Sequence, residues 1–455
     1  MKQIKRRTFL KNSASMAGGI VAAPAFIPNM ISDSPNERVN VAVIGIAGER
    51  DRDRGIIRGR GIVHLNNYAE IPNVTVKTIC DVDERLFPAN IKIVEDLFGS
   101  TPKTEPDFRK VLEDKDIDIV SLATPDHWHA LQTVWACQAG KDVYVEKPVS
   151  HNVAEGRKMV EAAEKYNRIV QSGICYRSSK AVKEGIQMIH DGILGKPYMA
   201  RGITWRYRVP IGIFPDTPVP EGVHWDMFLG PAPYRPFNIN RFLYHWHWFW
   251  DTGTGENGNN AIYRMDTARW ALNKNCHPVK IQSSGGLFGR DPQEQETPNI
   301  MDATYTYEDG TIIQNEMRGL PSNPEGMPED SGVRCFVYGD EGYMAIGGNS
   351  FRTYFGRREE PGPARSDNDL PEEEKTNGWK NLVECVRAGS DEKLDNPMIE
   401  GHMSAALCHL GNISYRVGQK ELFFDSEKEQ FIDNPEADAL LSREFRHPYV
   451  MPEKV

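Results

Sequence analysis

The sequence lacks a CxxC pair. Its seven cysteines (Cys80, Cys137, Cys175, Cys276, Cys335, Cys385 and Cys408) are scattered. An odd, dispersed set excludes a disulfide framework and a zinc-finger site, and reads as buried free thiols. Long apolar runs are also missing. The best candidate, 14–27, is too short and too rich in Gly and Ala for a good membrane span. Basic charge is scarce: 54 Lys and Arg stand against 64 Asp and Glu, a formal charge of −10. That argues against nucleic acid and anionic membranes as partners. No internal repeat is visible. What remains is 455 residues of ordinary globular composition, enough for two domains with an ample core.

The start of the chain carries its own signal. Arg6-Arg7 lies in a basic stretch, a weakly apolar run follows, and Ala23-Pro24-Ala25 has the small-x-small form of a cleavage site. These features predict a twin-arginine export signal and linker over 1–30, and a periplasmic destination. That route carries folded proteins, which reconciles export with unpaired thiols. No cysteine near the cleavage site offers a lipid attachment point.

Residues 39–45 (VNVAVIG) form an apolar strand running into a glycine turn. A compact dinucleotide turn would continue G-x-G-x-x-G into a helix. Here an insertion of alternating Arg and Asp, 47–57, comes first; Gly59, Arg60 and Gly61 then lead into a helix. Gly45, Gly59 and Gly61 would do the work of the fingerprint, turning the chain and letting backbone N–H groups approach a pyrophosphate. The next strand, 74–80, ends at Asp81. An acid there accepts hydrogen bonds from the adenosine ribose and repels a 2′-phosphate, favouring NAD over NADP. Arg60 nearby is the residue that could instead accommodate NADP.

Strands at 117–123, 143–145 and 169–174 alternate with helices near 88–98, 107–114, 126–140 and 153–166. Repeated β-α-β units predict an α/β domain over 36–178, a doubly wound parallel Rossmann sheet. Thr124-Pro125-Asp126-His127-Trp128-His129 and Glu146-Lys147-Pro148 then fall at adjacent strand ends, on the ligand side. An ammonium there can hold or move the proton of a substrate hydroxyl, and a neighbouring carboxylate can tune it.

A broken glycine turn, an acid after the second strand, TPxxxH and EKP resemble the glucose–fructose oxidoreductase, inositol dehydrogenase and rhizopine catabolism family. The likeness covers nearly all of the mature chain. It implies that Lys147 is the catalytic lysine, with a cis bond to Pro148. It also implies that Thr124, Pro125, His129, Glu146 and Arg177 line the cofactor.

Past about residue 196 the texture changes. Strands over 197–209, 278–288, 300–307, 311–317 and 333–338, then helices near 379–388 and 401–417, predict an α+β domain over 179–455 on a predominantly antiparallel sheet. The open face of such a sheet commonly needs covering, so a homo-oligomer through it is expected. The stretch 358–375, rich in Pro, Glu and Asp, reads as a surface loop. Gly-rich residues after Trp250 lead into a helix that would carry Asn259, Tyr263 and Asp266 on one face. Family members carry an acid where Asn259 stands. A neutral amide cannot charge-pair with a lysine, so the acid–base load falls on Lys147 and Tyr263, with Asn259 beside them. Trp205, Arg206 and Tyr207, with the aromatic run Tyr244 to Trp250, suggest platforms for sugar rings. His247, Asn260 and His402 are further substrate candidates. His245 and His247 have strand spacing and would face one way; with no third ligand evident, no metal is expected.

The reaction expected is oxidation of a secondary hydroxyl of a sugar, glycoside or cyclic polyol, with the proton going to Lys147 and the hydride to NAD. The alternative is a glycosidase or lyase that oxidises, eliminates and re-reduces its substrate on bound NAD. A sugar-binding protein without turnover is the third possibility. Free NAD is not dependably supplied outside the cytoplasm, so the cofactor is expected to be held tightly. The insertion 47–57 is placed to close over the pyrophosphate.

Overall fold

The computed structural model describes residues 38–46, 59–289, 292–321 and 334–455. The expected export signal and the insertion 47–57 lie outside them. Six strands, β1 (Val39–Ile44), β2 (Val74–Cys80), β3 (Lys103–Glu105), β4 (Ile119–Leu122), β5 (Asp142–Val145) and β6 (Val170–Ser172), pair in parallel in the order β3-β2-β1-β4-β5-β6. The chain leaves β1 toward one edge and returns beside it as β4, so a crevice opens where those two strands end. Central β1 and β4 are apolar and almost wholly buried, as a strand covered on both faces must be.

Helices α1 (Arg60–Ala69), α2 (Phe87–Phe98), α3 (Phe108–Glu113), α4 (Asp126–Gln138) and α5 (Val153–Lys165) provide the crossovers. α4 is buried nearly all round, including Asp126, His127 and His129. It is a core helix, which explains its weak amphipathic pattern. After α6 (Lys180–His190), the chain builds a second sheet. Its strands are β7 (Pro197–Trp205), β8 (Lys280–Gly286), β9 (Ile300–Thr306), β10 (Ile312–Arg318), β11 (Cys335–Gly339), β12 (Gly342–Ile346), β13 (Ser350–Phe355), β14 (Glu360–Ser366), β15 (Leu422–Asp425) and β16 (Gln430–Phe431). They run in the order β14-β13-β12-β11-β7-β10-β9-β8-β15-β16, antiparallel throughout except for β7 beside β10.

One face of this sheet is covered by α7 (Ile262–Ala271) and α9 (Met398–Arg416); α8 (Gly378–Ala388) packs against the first domain. Alternation along β9 and β10 shows why: Met301, Ala303, Tyr305, Ile313 and Met317 point into the core, and Asp302 and Glu316 point away. Each large inward side chain contributes roughly 1.5–3 kcal/mol of burial. α9 touches both α5 and β8, so one hydrophobic core runs through both domains.

The stretch read as a loop at 358–375 contains β14. Its prolines, Pro361 and Pro363, sit on an edge strand, where a missing N–H is tolerated. All seven cysteines are free, but Cys175 and Cys276 are exposed rather than buried.

Candidate active site

A cleft of about 400 Å³ lies over the carboxyl ends of β1, β4 and β5, and the second domain forms its far wall. At its dinucleotide end, Gly45 has φ +80°, and a Cβ there would lie 2.8 Å from the Ala123 carbonyl. A Cβ on Gly61 would lie 2.3 Å from the Ile46 carbonyl oxygen, so only glycine lets α1 start against the end of β1. Gly59 is the N-cap of α1 and leaves its first turn without a side-chain cap. The expected glycine triad is thus split between turn, cap and close packing. Gly45 and Gly59 line the cleft, as do Arg60, Asp81, Thr124, Pro125, His129, Glu146 and Lys147.

The carboxylate of Asp81 accepts from the Ile46 N–H at 2.9 Å and the Asp83 N–H at 3.0 Å, which fixes it at the cleft edge. Arg60 is turned the other way. Its Nε and Nη2 donate to Glu146 Oε1 at 2.9 and 2.6 Å, so the residue that could have served NADP is committed to an ion pair. Glu146 also accepts from His64 Nε2 at 3.1 Å, and His64 Nδ1 lies 2.9 Å from the Ser121 hydroxyl. Burial alone would raise the Glu146 pKa; Arg60 and His64 outweigh it and hold the carboxyl below its usual range. His64 went unnoticed in the sequence. It stands four residues after Arg60 on α1, the spacing that brings two side chains to one target.

Lys147 follows β5 directly, and its bond to Pro148 is cis, as the resemblance implied. Its Nζ donates to the Asn259 backbone carbonyl at 2.7 Å and to Asn259 Oδ1 at 3.0 Å. Burial lowers its pKa, and Glu146 pushes back without cancelling the effect. Asn259 Nδ2 donates in turn to the Tyr244 hydroxyl at 3.1 Å. Tyr263 lies under the ammonium, with its ring centroid 5.6 Å from Nζ, and stacks on Tyr176. Burial raises the Tyr263 pKa well above that of an ordinary phenol, so it stays a proton donor. His129 ties the two strand ends together: its ring nitrogens lie 2.6 Å from the Pro148 carbonyl and 2.7 Å from that of Thr124.

Residues 257–261 wind as a π-helix before α7. This breaks the face expected to hold Asn259, Tyr263 and Asp266 together. Asn259 and Tyr263 line the cleft, whereas Asp266 is buried against Arg177 and Ser404. The wider turn frees the Asn259 carbonyl to meet Lys147. Arg177, expected at the cofactor, does not line the cleft: its guanidinium spans Asp266 at 3.0 Å and Glu400 at 2.9 Å. Trp205 also lies elsewhere, on the open face of the second sheet with Arg318 stacked on it at 4.1 Å. His402 sits beyond the cleft, bonded to Glu429 Oε1 together with His277 and Arg157.

Arg206, His247 and Asn260 do line the cleft. His245 to Trp248 is a 3₁₀ turn rather than a strand, so His245 and His247 do not face alike: His245 Nδ1 pairs with Asn240, and His247 Nδ1 lies 2.6 Å from the Tyr244 carbonyl. That contact makes Nδ1 of His247 the donor and leaves Nε2 as the acceptor. Asp126, quoted in the sequence without a role, also lines the cleft. It accepts from the Thr254 hydroxyl at 2.7 Å, and burial lifts its pKa to about 7.

Glycines where backbone must approach backbone, a helix start without a side-chain cap, and an acid at the end of β2 together fit a dinucleotide. Residues 39–174 match the NAD-binding Rossmann fold of the oxidoreductase family, and residues 178–451 match its C-terminal alpha/beta domain. Among curated relatives, glycosyl hydrolase family 109 protein 1 of Shewanella sp. (strain MR-4) is 28% identical over 207 residues, 43% of this chain and 45% of the relative. An alpha-N-acetylgalactosaminidase of Shewanella oneidensis is 25% identical over the same shares. The chain spans about half the length of the curated relatives it matches. Among solved structures, aldose-aldose oxidoreductase from Caulobacter crescentus shares 18% identity at a TM-score of 0.59, over 85% of this chain and 100% of that one. Levoglucosan dehydrogenase, solved with NADH and levoglucosan, shares 17% at 0.61, over 85% and 99%. At such identities these two structures show a common fold. With both domains matched, the chain belongs to the oxidoreductase family of glucose–fructose oxidoreductase, inositol dehydrogenase and rhizopine catabolism proteins, and is an NAD-binding member of it.

Proposed function

We propose that this protein oxidises a secondary hydroxyl of a sugar, glycoside or cyclic polyol, using a tightly held dinucleotide, NAD in preference to NADP. The observation that carries the reading is Lys147: an amine of depressed pKa whose hydrogen bonds, among the described residues, go to the neutral oxygens of Asn259. A neutral amine has two N–H donors. Asn259 accepts both, which leaves the lone pair for the proton of a substrate hydroxyl. The ammonium so formed keeps both bonds. Tyr263, protonated throughout, donates to the same substrate oxygen, and His247 Nε2 accepts from a neighbouring hydroxyl. The nicotinamide, when bound, supplies the hydride acceptor. The position of Asp81 and the commitment of Arg60 to Glu146 support NAD.

A second reading is favoured by one observation: curated relatives matched in sequence carry glycosidase names. Oxidation would then make a ketone, acidify the neighbouring C–H and let the glycosidic bond eliminate, with no net redox change. A panel of glycosides separates the two: net NADH formation means oxidation, and sugar release without NADH means cleavage. A protein that gives neither with any member is not the enzyme proposed.

We also place the protein outside the cytoplasm, on Arg6-Arg7 and the cleavage-site pattern. A cofactor there must be restored on the enzyme, so native-purified protein should release dinucleotide when denatured. Self-association through the second sheet is supported by the row Phe336, Tyr338, Tyr343 and Tyr354 on its open face. Light scattering that shows a monomer at micromolar concentration would remove that reading.

A further inference from the structure

The two walls of the cleft differ in charge. The carboxyl groups that line it, Asp81, Asp83, Asp107, Asp126 and Glu146, all come from the dinucleotide domain. Each has a partner: Asp83 pairs with Arg85, Asp107 with Arg109 and Glu146 with Arg60, Asp81 accepts backbone N–H groups, and Asp126 accepts from Thr254. Among the described residues, the second domain contributes no carboxylate to the cleft lining; it offers aromatic and aliphatic side chains, amides, His247 and the guanidinium of Arg206.

Arg206 is exposed, and among the described residues its guanidinium has no ion-pair or hydrogen-bond partner. Its backbone N–H donates to the Arg318 carbonyl at 3.0 Å, which anchors the residue just past the end of β7. The contrast with Arg208, two residues on, is direct. Arg208 is paired with Glu256 at 2.8 Å and lies over the rings of Tyr244 and Trp248 at 5.6 and 5.3 Å. One arginine builds the wall and its neighbour is left facing the cleft.

We propose that the substrate is an acidic sugar, whose carboxylate or sulfate oxygens are received by Arg206. This rests on the carbohydrate reading above. A guanidinium fork matches a pair of anionic oxygens in two parallel bonds, and a wall without carboxylates opposes no anion placed there. A neutral sugar leaves Arg206 unused.

The test is an equilibrium one on the full, dinucleotide-loaded protein. Methyl glycosides of glucose, galactose and mannose, both anomers, are titrated by calorimetry beside the matching methyl uronides and 6-sulfates. At least one acidic member should bind about tenfold more tightly than its neutral counterpart, the effect of one charge-assisted contact in a wet cleft. The preference should weaken with added salt, vanish in Arg206→Gln and partly return in Arg206→Lys. Uronides and sulfates distinguish the two anion types. No acidic member binding more tightly than its partner, no acidic member binding at all, or a preference that survives in Arg206→Gln would each overturn the proposal. Binding needs no turnover, so the acid preference can stand while hydroxyl oxidation fails. Oxidation of neutral and acidic sugars with equal kcat/KM would sink the preference and leave oxidation intact.

Discussion

Replacing Asn259 with Asp puts a carboxylate where the neutral side-chain oxygen Oδ1 now holds Lys147, beside the unchanged backbone carbonyl. The Oδ1 contact is 3.0 Å, so the new charge would sit in direct contact with the amine. Unit charges about 3 Å apart attract by roughly 5 kcal/mol at an effective dielectric near 20. The buried carboxylate loses solvation in return, and opposite charges at such distances shift pKa values by about 1–3 units. The sign follows from the role. The neutral amine is the base, so a raised pKa moves the acid limb of the kcat/KM profile to higher pH by the same 1–3 units, about tenfold in rate per unit below the limb. The assay is single-turnover reduction of bound dinucleotide, followed by the absorbance of the reduced nicotinamide across pH. A limb that moves by less than about half a unit, or moves downward, would show that Lys147 is not the group whose proton controls the rate.

Three other outcomes follow from the same geometry. Lys147→Ala should abolish turnover while dinucleotide stays bound, because the glycine turn is untouched; turnover within about tenfold of the parent would contradict the base assignment. Gly61→Ala forces a Cβ to within 2.3 Å of the Ile46 oxygen, so it should lower stability by about 1–3 kcal/mol and empty the dinucleotide end, read by thermal melting and by nucleotide release. Asp126 has a folded pKa of about 7 against an ordinary 3.8, so the folded state binds the extra proton between those values. Its contribution is complete below the lower pKa and is lost as pH rises through the upper one, about 4 kcal/mol in all. Urea unfolding of Asp126→Asn should lack that loss, and an unchanged pH slope would refute it.

The fold was legible because β-α-β alternation and glycine turns are local signals. The strand ends carrying Thr124, Glu146 and Lys147 could be placed from the spacing of elements alone. What misled the reading was non-local or irregular. The helical period assigns Asp266 to the cleft, but the π-helical residues 257–261 shift the phase and turn it toward Arg177. No composition signal marks such a turn. Alternation assigns His245 and His247 to a strand, yet that run of large rings closes into a 3₁₀ turn. Arg177, Trp205 and His402 are ordinary candidates by residue type. Their partners, Asp266, Arg318 and Glu429, lie between 27 and 113 residues away in sequence and could not be paired from it.

The adjacent pair Glu146-Lys147 shows how the fold sets opposite charge states on neighbours. Both side chains are withdrawn from water, which raises the pKa of an acid and lowers that of an amine. Had Glu146 stood alone, its charge would have held the amine protonated. Instead the carboxylate is bound by Arg60 and His64, and its pull on the amine, though still the strongest opposing influence, does not overcome burial. Arg60 also acts directly, lowering the Lys147 pKa by like charge. The balance left at Lys147 is therefore dominated by its own desolvation, and Asn259, being neutral, does nothing to reverse it. An acid at position 259 would restore the positive charge that Arg60 helps to remove. The amide found there agrees with the electrostatics of the rest of the site: one arginine that closes off Glu146, and one asparagine that orients the amine without charging it.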